Sequence, residues 1–387
     1  MKPPPQPVSI QPPPSQSVSA QSACTLTIDL DALVRNWRAA NEASGAATAS
    51  AVVKADAYGL GVEPVAKALA DAGCDSFFVA LPEEGALVRA VAPDARIFVL
   101  NGPTPGCGET MVKCQLIPAI NDLTQARHWA TVCAEAGARL PAALHLDTGM
   151  NRLGFGMAEL EHLRNDTTLL RNFETVLVMS HLACADIPDN EMSAMQRRNF
   201  DSLRVHLPDA PASLANSAGI FLGSDYHYEL TRPGICLYGA SPFADAPAPF
   251  EPVITATARI LQVRDIAAGE TVGYGATFTA QRNMRLATIA AGYADGLFRS
   301  AAGRALAVVN GVAVPYVGRV SMDLVVLDVS APGARDVEAG DAAELIGPSM
   351  SVDTLANAAG TIGYEVLTSL GRRYTRRYIY ESATQKT

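Results

Sequence analysis

The chain has 387 residues, 49% of them hydrophobic and 18% charged, which is enough to bury a sizeable core in roughly two or three domains and excludes a largely disordered or fibrous protein. Its 39 acidic residues outnumber 30 basic ones, and the resulting net charge of −9 argues against a nucleic-acid partner, whose recognition needs a basic balance. No apolar run approaches the roughly 18 to 20 residues of a membrane-spanning helix, so no membrane partner is expected.

The first 22 residues hold seven prolines, one lysine and no acid, a mixture that cannot bury a core and reads as a disordered, Pro-rich tail. The tail lacks the continuous apolar stretch of a secretory signal, which points to a cytoplasmic protein. Seven scattered cysteines without a C-x-x-C pair predict reduced thiols and no metal site.

Beyond the tail, short apolar runs alternate with helical patterns. AVVK (51–54), SFFVA (76–80), RIFVL (96–100), LIPAI (116–120), ALHLD (143–147) and ETVLVMSHL (174–182) read as strands. Segments such as EPVAKALADAG, PEEGALVRAVA and DLTQARHWATVCAEAG read as the helices between them. Seven or eight such units fit the roughly 200 to 250 residues of a (β/α)₈ barrel. An open doubly wound sheet competes, but no G-x-G-x-x-G follows the first strand. The prolines of SPFADAPAPFEP (241–252) mark a junction, after which VITATARILQV, RLATIAA, RALAVVNG, VAVPYVG and DLVVLDV predict a mostly-β domain. The expected division is a tail over 1–22, a TIM-type barrel over 23–245 and a β domain over 246–387.

In AVVKADAYGLG a lysine, Lys54, closes an apolar strand just before a Tyr- and Gly-containing turn. On a barrel that is the catalytic rim, and an amine partly desolvated there can condense with an aldehyde cofactor. A solvated strand-end charge is the plainer reading of the lysine alone.

Further motifs follow in order: D-T-G-M-N-R-L-G-F (147–155), S-H-L-A-C-A-D (180–186), A-N-S-A (215–218), T-R-P-G-I-C-L-Y-G (231–239), G-Y-G-A-T-F (273–278), G-Y-A-D-G (292–296), G-R-V-S-M-D (318–323) and T-I-G-Y-E-V (361–366). Together with K-A-D-A-Y-G the set resembles alanine racemase over residues 24–380. The resemblance implies a pyridoxal 5'-phosphate enzyme of the barrel type, an isomerase interconverting L- and D-alanine for peptidoglycan. It also implies a homodimer whose active sites draw on both chains.

Racemisation removes a proton from one face of Cα and returns one to the other, so two acid/base groups must flank the substrate. By resemblance Lys54 binds the cofactor and serves one face, and Tyr274 serves the other. His181 matches the residue that activates the tyrosine, Arg152 the one near the substrate carboxylate, and Arg232 the one facing the pyridine nitrogen. Tyr58, Ser217, Gly234, Ile235 and Tyr364 match the phosphate cradle, and Met322 a substrate-site residue given across the dimer.

Two positions depart from the family pattern. His145 stands where many members carry a lysine that becomes a carbamate, and Leu60 where a histidine often follows Y-G. A broader-specificity racemase and a non-catalytic cofactor-binding protein remain the alternatives. A barrel-type decarboxylase would need a cysteine–acid substrate loop that the chain does not display. The basic run R-R-Y-T-R-R-Y (372–378) reads as a solvated face or internal ion pairs.

Overall fold

Strands made almost wholly of apolar residues, such as Ser76–Val79 and Leu116–Ile120, are buried at every residue. That pattern belongs to parallel sheets covered on both faces. In the computed structural model, which describes residues 22–165, 168–243, 246 and 249–380, they form part of a ring of parallel strands. The expected 1–22 tail lies outside the described residues except for Ser22.

The ring begins at Thr48–Ala49 and Ala51–Val52, and continues through Ser76–Val79, Arg96–Val99, Leu116–Ile120, Pro141–His145, Glu174–Met179 and Ala212–Ser213. Leu230–Thr231 closes it, pairing in parallel with Thr48–Ala49 on one side and bridging through Asn216 and Arg232 on the other. Val52 N–H donates to Pro233 O at 2.9 Å and Arg232 N–H to Ala215 O at 2.9 Å, which carries the closure up to the rim. The (β/α)₈ expectation therefore holds.

Helices cover the outside. Leu123–Ala136 is set by its ends: Asp122 accepts from Gln125 N–H at the N-cap, and Gly137 takes a left-handed conformation at the C-cap. Inside, Phe78 and Phe98 stack with ring centroids 4.6 Å apart.

The second unit is a six-stranded antiparallel barrel. Met284–Ile289, Val325–Asp328, Val312–Val317, Leu306–Val309, Ala342–Ile346 and Ile254–Ile266 follow one another, and the last pairs back to the first. Ile254–Ile266 serves two neighbours on its closing side because a bulge between Ile260 and Gln262 bends it. The strand Cys24–Asp29, which falls within the range expected for the TIM-type barrel, joins this sheet instead. It lies antiparallel to Ile254–Ile266 and parallel to Thr375–Ile379.

The two units meet at the Lys54 rim. Arg376 donates to Gly59 O at 2.9 Å, and Tyr378 Oη donates to Leu60 O at 2.7 Å. Arg373 pairs with the buried Asp295 and with Asp323, as the ion-pair reading of the basic run expected. All seven cysteines are free thiols. Among the described residues no helix is long and apolar enough to cross a membrane.

Candidate active site

Every barrel residue singled out above lies at or just beyond the C-terminal end of a strand, the face where barrel chemistry is built. Lys54 follows Ala51–Val52 and is half-buried. Burial lowers the pKa of its amine, the Arg152 charge lowers it further, and the Glu84 charge opposes both.

The chain beyond Lys54 does not continue as an ordinary turn. Ala55, Asp56, Ala57 and Tyr58 all have φ between 52° and 56°, a complete left-handed turn without a glycine. Left-handed backbone costs roughly 1–2 kcal/mol per residue with a side chain, so tertiary contacts must hold the segment. Tyr58 is one of them, buried and stacked on Tyr238 at 4.5 Å.

Across from Tyr58 lies the loop after Leu230–Thr231. A Cβ at Gly234 would come within 2.6 Å of Tyr58 Oη, so only glycine lets the two segments approach this closely. Gly234 N–H donates to Ser217 Oγ at 2.8 Å, and Ile235 is fully buried behind it. Tyr364, on the helix Gly363–Ser369 of the second unit, completes the group 6.0 Å from the Tyr58 ring. Burial raises the pKa of both tyrosines, which keeps their hydroxyls as donors. Lys54, Tyr58, Thr361, Tyr364 and Glu365 line a cavity of about 420 Å³.

Arg232 is 3% exposed and pushed down to about 9 by burial, so it stays charged at neutral pH. Its guanidinium donates to Ser213 Oγ, to Ser180 O at 2.5 Å, to Leu214 O at 3.3 Å and to His181 Nδ1 at 3.4 Å. None of these partners is a carboxylate. Because His181 Nδ1 faces a donor, its proton belongs on Nε2. Burial, then the charges of Arg232 and Arg152, hold His181 well below the ordinary histidine range and therefore neutral.

His145 is buried and donates from Nδ1 to Asn121 Oδ1 at 2.7 Å. Asn121 donates its own amide to Ala119 O and Gln125 Oε1, which fixes the direction of that bond. Burial, Arg232 and Arg152 lower the His145 pKa to about 4. The position thus carries no charge at neutral pH and cannot form a carbamate. Leu60 is fully buried and apolar, and supplies no side-chain hydrogen bond. Arg152 is exposed at the lip of the rim.

Tyr274 and Met322 stand apart. They are 73% and 54% exposed on the second unit, and neither lines the Lys54 cavity. Gly275, beside Tyr274, packs against the Arg319 guanidinium, and Met322 follows three residues later. Sequence reasoning missed Tyr238, Ser180, Ser213 and Glu84. Ser180 and Tyr238 lie within the motifs at 180–186 and 231–239 but had no role assigned there, and Ser213 becomes visible only once the fold sets it against Arg232.

The family model for the alanine racemase N-terminal domain matches residues 28–242, and that for the C-terminal domain matches residues 253–378. An alanine racemase of Methylobacterium nodulans is 48% identical over 368 residues, spanning 95% of this chain and 99% of that one. Among solved structures, alanine racemase from Bartonella henselae with covalently bound pyridoxal phosphate is 39% identical, with a TM-score of 0.88 over 93% of this chain and 100% of that one. Biosynthetic alanine racemase from Pseudomonas aeruginosa is 36% identical, with a TM-score of 0.86 over the same shares.

Proposed function

The chain belongs to the alanine racemase family, and from that premise we propose that it interconverts L- and D-alanine with pyridoxal phosphate bound at Lys54. We further propose a cytoplasmic homodimer that supplies D-alanine for peptidoglycan. One observation carries the reading: a half-buried amine, a hydroxyl-lined cradle and a buried guanidinium with no carboxylate partner meet at a single rim.

The residues present suit the cofactor. Tyr58, Ser217, Tyr364 and the Gly234 backbone offer a phosphate small, mostly uncharged donors at close approach. Ile235 N–H begins a short helical turn, Ile235–Tyr238, at the same place. Arg152 and Arg232 add positive charge suited to a phosphorylated cofactor and a carboxylate substrate.

Pyridoxal phosphate supplies an aldehyde and an electron-withdrawing ring that stabilises negative charge at Cα. The protein supplies the proton handling. A neutral Lys54 amine, favoured by its burial, can take or return the proton on one face. The opposite face needs a second group, and the exposure of Tyr274 suits a residue given to the partner subunit's site. His181, with its proton on Nε2, can donate to the phenolic oxygen and favour the phenolate. Arg232 would face the ring nitrogen of the bound cofactor and, keeping its own proton, would weaken electron withdrawal and restrain transamination. Arg152 holds the substrate carboxylate, and Met322 of the partner subunit borders the space for the substrate side chain.

Incubating the purified yellow protein with single L-amino acids and separating the enantiomers tests the reading. D-Alanine is expected to form fastest. Comparable turnover of bulkier amino acids would favour the broader-specificity racemase, and a cofactor band without turnover would favour a binding protein.

A further inference from the structure

Glu84 lies on the helix Pro82–Val91, which follows the strand next to that of Lys54. Its carboxylate joins the two barrel units. Oε1 accepts from Ala55 N–H at 2.6 Å, while Oε2 accepts from Ala80 N–H at 2.8 Å and Leu81 N–H at 3.2 Å. Ala55 is both the neighbour of Lys54 and the first residue of the left-handed turn.

The other anchors grip that turn elsewhere. Ala57 N–H donates to Val53 O, Asp56 Oδ1 accepts from Val62 N–H, and Arg376 holds Gly59 O. Bonds from backbone N–H to a carboxylate are roughly twice as strong as neutral ones, which matters where four unfavourable φ angles must be maintained.

Charge gives Glu84 a second effect. The groups around the Lys54 amine are Arg152, His181, Glu84 and, across the cavity, Tyr364 and Glu365. Glu365 is already engaged by the Thr361 hydroxyl. Arg152 and burial both favour the neutral amine, and Glu84 pulls the other way.

We propose that Glu84 is a positioning residue for Lys54: its two oxygens clamp the left-handed turn to the next barrel unit. This rests on the reading of Lys54 as the cofactor-bearing base. The clamp explains how a turn with no glycine among its first four residues presents Lys54 and Tyr58 to the same cavity. The Leu81 N-cap has no side-chain acceptor of its own, so Oε2 of Glu84 also caps the helix, which leaves Oε1 as the oxygen that reaches Ala55 on the neighbouring loop.

The test uses the full-length holoenzyme with Glu84→Gln and Glu84→Asp. Glutamine keeps the volume but offers one acceptor oxygen where two are used, and it removes the charge. Aspartate keeps the charge on a shorter reach. Amide exchange of the peptide containing Ala55, read by mass spectrometry, reports the clamp; the pH profile of kcat reports the charge; thermal unfolding checks the fold.

In Glu84→Gln, exchange at Ala55 is expected to rise at least about tenfold, and kcat to fall about 10²-fold with KM within about threefold, as a misplaced reacting group produces. The acidic limb of the kcat profile should move to lower pH, because the amine loses the charge that favours its protonated form. Glu84→Asp should return that limb toward the parent position while exchange stays raised. Wild-type exchange at Ala55 in Glu84→Gln would overturn the proposal, whether or not kcat falls. If Glu84→Gln does not fold, parent-like exchange in Glu84→Asp overturns the clamp. A parent enzyme inactive on alanine, with exchange still raised in the variants, would instead sink the functional reading and leave the clamp standing.

Discussion

Replacing His145 by glutamine should make the protein resist acid better than the parent does. The imidazole is 7% exposed, and burial together with Arg232 and Arg152 brings its pKa from 6.5 to about 4. The unfolded chain therefore takes up the proton first as pH falls. Stability from the neutral imidazole is complete above the unfolded value and is lost as pH drops from 6.5 toward 4. Between pH 7 and pH 5 the linkage amounts to about 2 kcal/mol. Glutamine can still donate to Asn121 Oδ1 but has no proton to gain, so the variant should lose about 2 kcal/mol less than the parent over that interval. The neutral His181 adds a loss of the same sign to both proteins and subtracts out. Urea unfolding at the two pH values gives the difference directly. Equal losses in parent and variant would refute the assignment of His145 as a histidine held neutral by its surroundings.

The remaining expectations concern the cofactor and the second base. Lys54→Ala should abolish the visible band that borohydride bleaches in the parent; a retained, reducible band would place the linkage on another lysine. Gly234→Ala drives a Cβ to 2.6 Å from the buried Tyr58 Oη, and overpacking of about 1–3 kcal/mol should weaken cofactor binding roughly 5- to 150-fold. Fluorescence titration of the cofactor would show otherwise if affinity were unchanged. Tyr274→Phe should slow Cα hydrogen exchange from one enantiomer of alanine at least about tenfold more than from the other; equal losses would refute its assignment to one face. Mixing Lys54→Ala and Tyr274→Phe subunits under exchanging conditions should restore about a quarter of all sites, because a two-fold dimer pairs residues from different chains. Activity fixed at the level of the separate mutants, with exchange shown by a tagged subunit, would place both residues in one chain.

Much of the fold was legible because its strands speak plainly. SFFV and LIPAI are almost wholly apolar, as doubly covered parallel strands tend to be, and the structure buries each residue. CTLTID carried a different signal that distance along the chain obscured: its strict alternation, buried at every second residue, is the mark of a sheet with one solvated face. That period assigns Cys24–Asp29 to the β unit, although its neighbours in sequence belong to the barrel.

The site was legible where chemistry is concentrated in a motif, as at Lys54 and Arg232, and illegible where it depends on backbone geometry. Nothing in A-D-A-Y predicts four left-handed residues, since local propensity opposes them and remote groups such as Glu84 and Arg376 hold them. Glu84 itself looked like ordinary first-turn acidity on a helix. Asn121 could have been suspected only after the strand order placed Leu116–Ile120 beside Pro141–His145.

The seat of Cys24–Asp29 between Ile254–Ile266 and Thr375–Ile379 has a consequence for synthesis. The strand is made long before its partners: its antiparallel neighbour follows only after roughly 225 further residues, and its parallel neighbour after roughly 345. At about 5–20 residues per second it waits on the order of 10 to 50 s with both edges bare. The barrel can close in the meantime, since all its strands are translated by then. The strand gains its second neighbour only when Thr375–Ile379 has been made, and Arg376 and Tyr378 reach the Lys54 turn only with that segment. A nascent chain stalled before residue 370 would carry a formed barrel with its lysine turn still lacking those two fastenings.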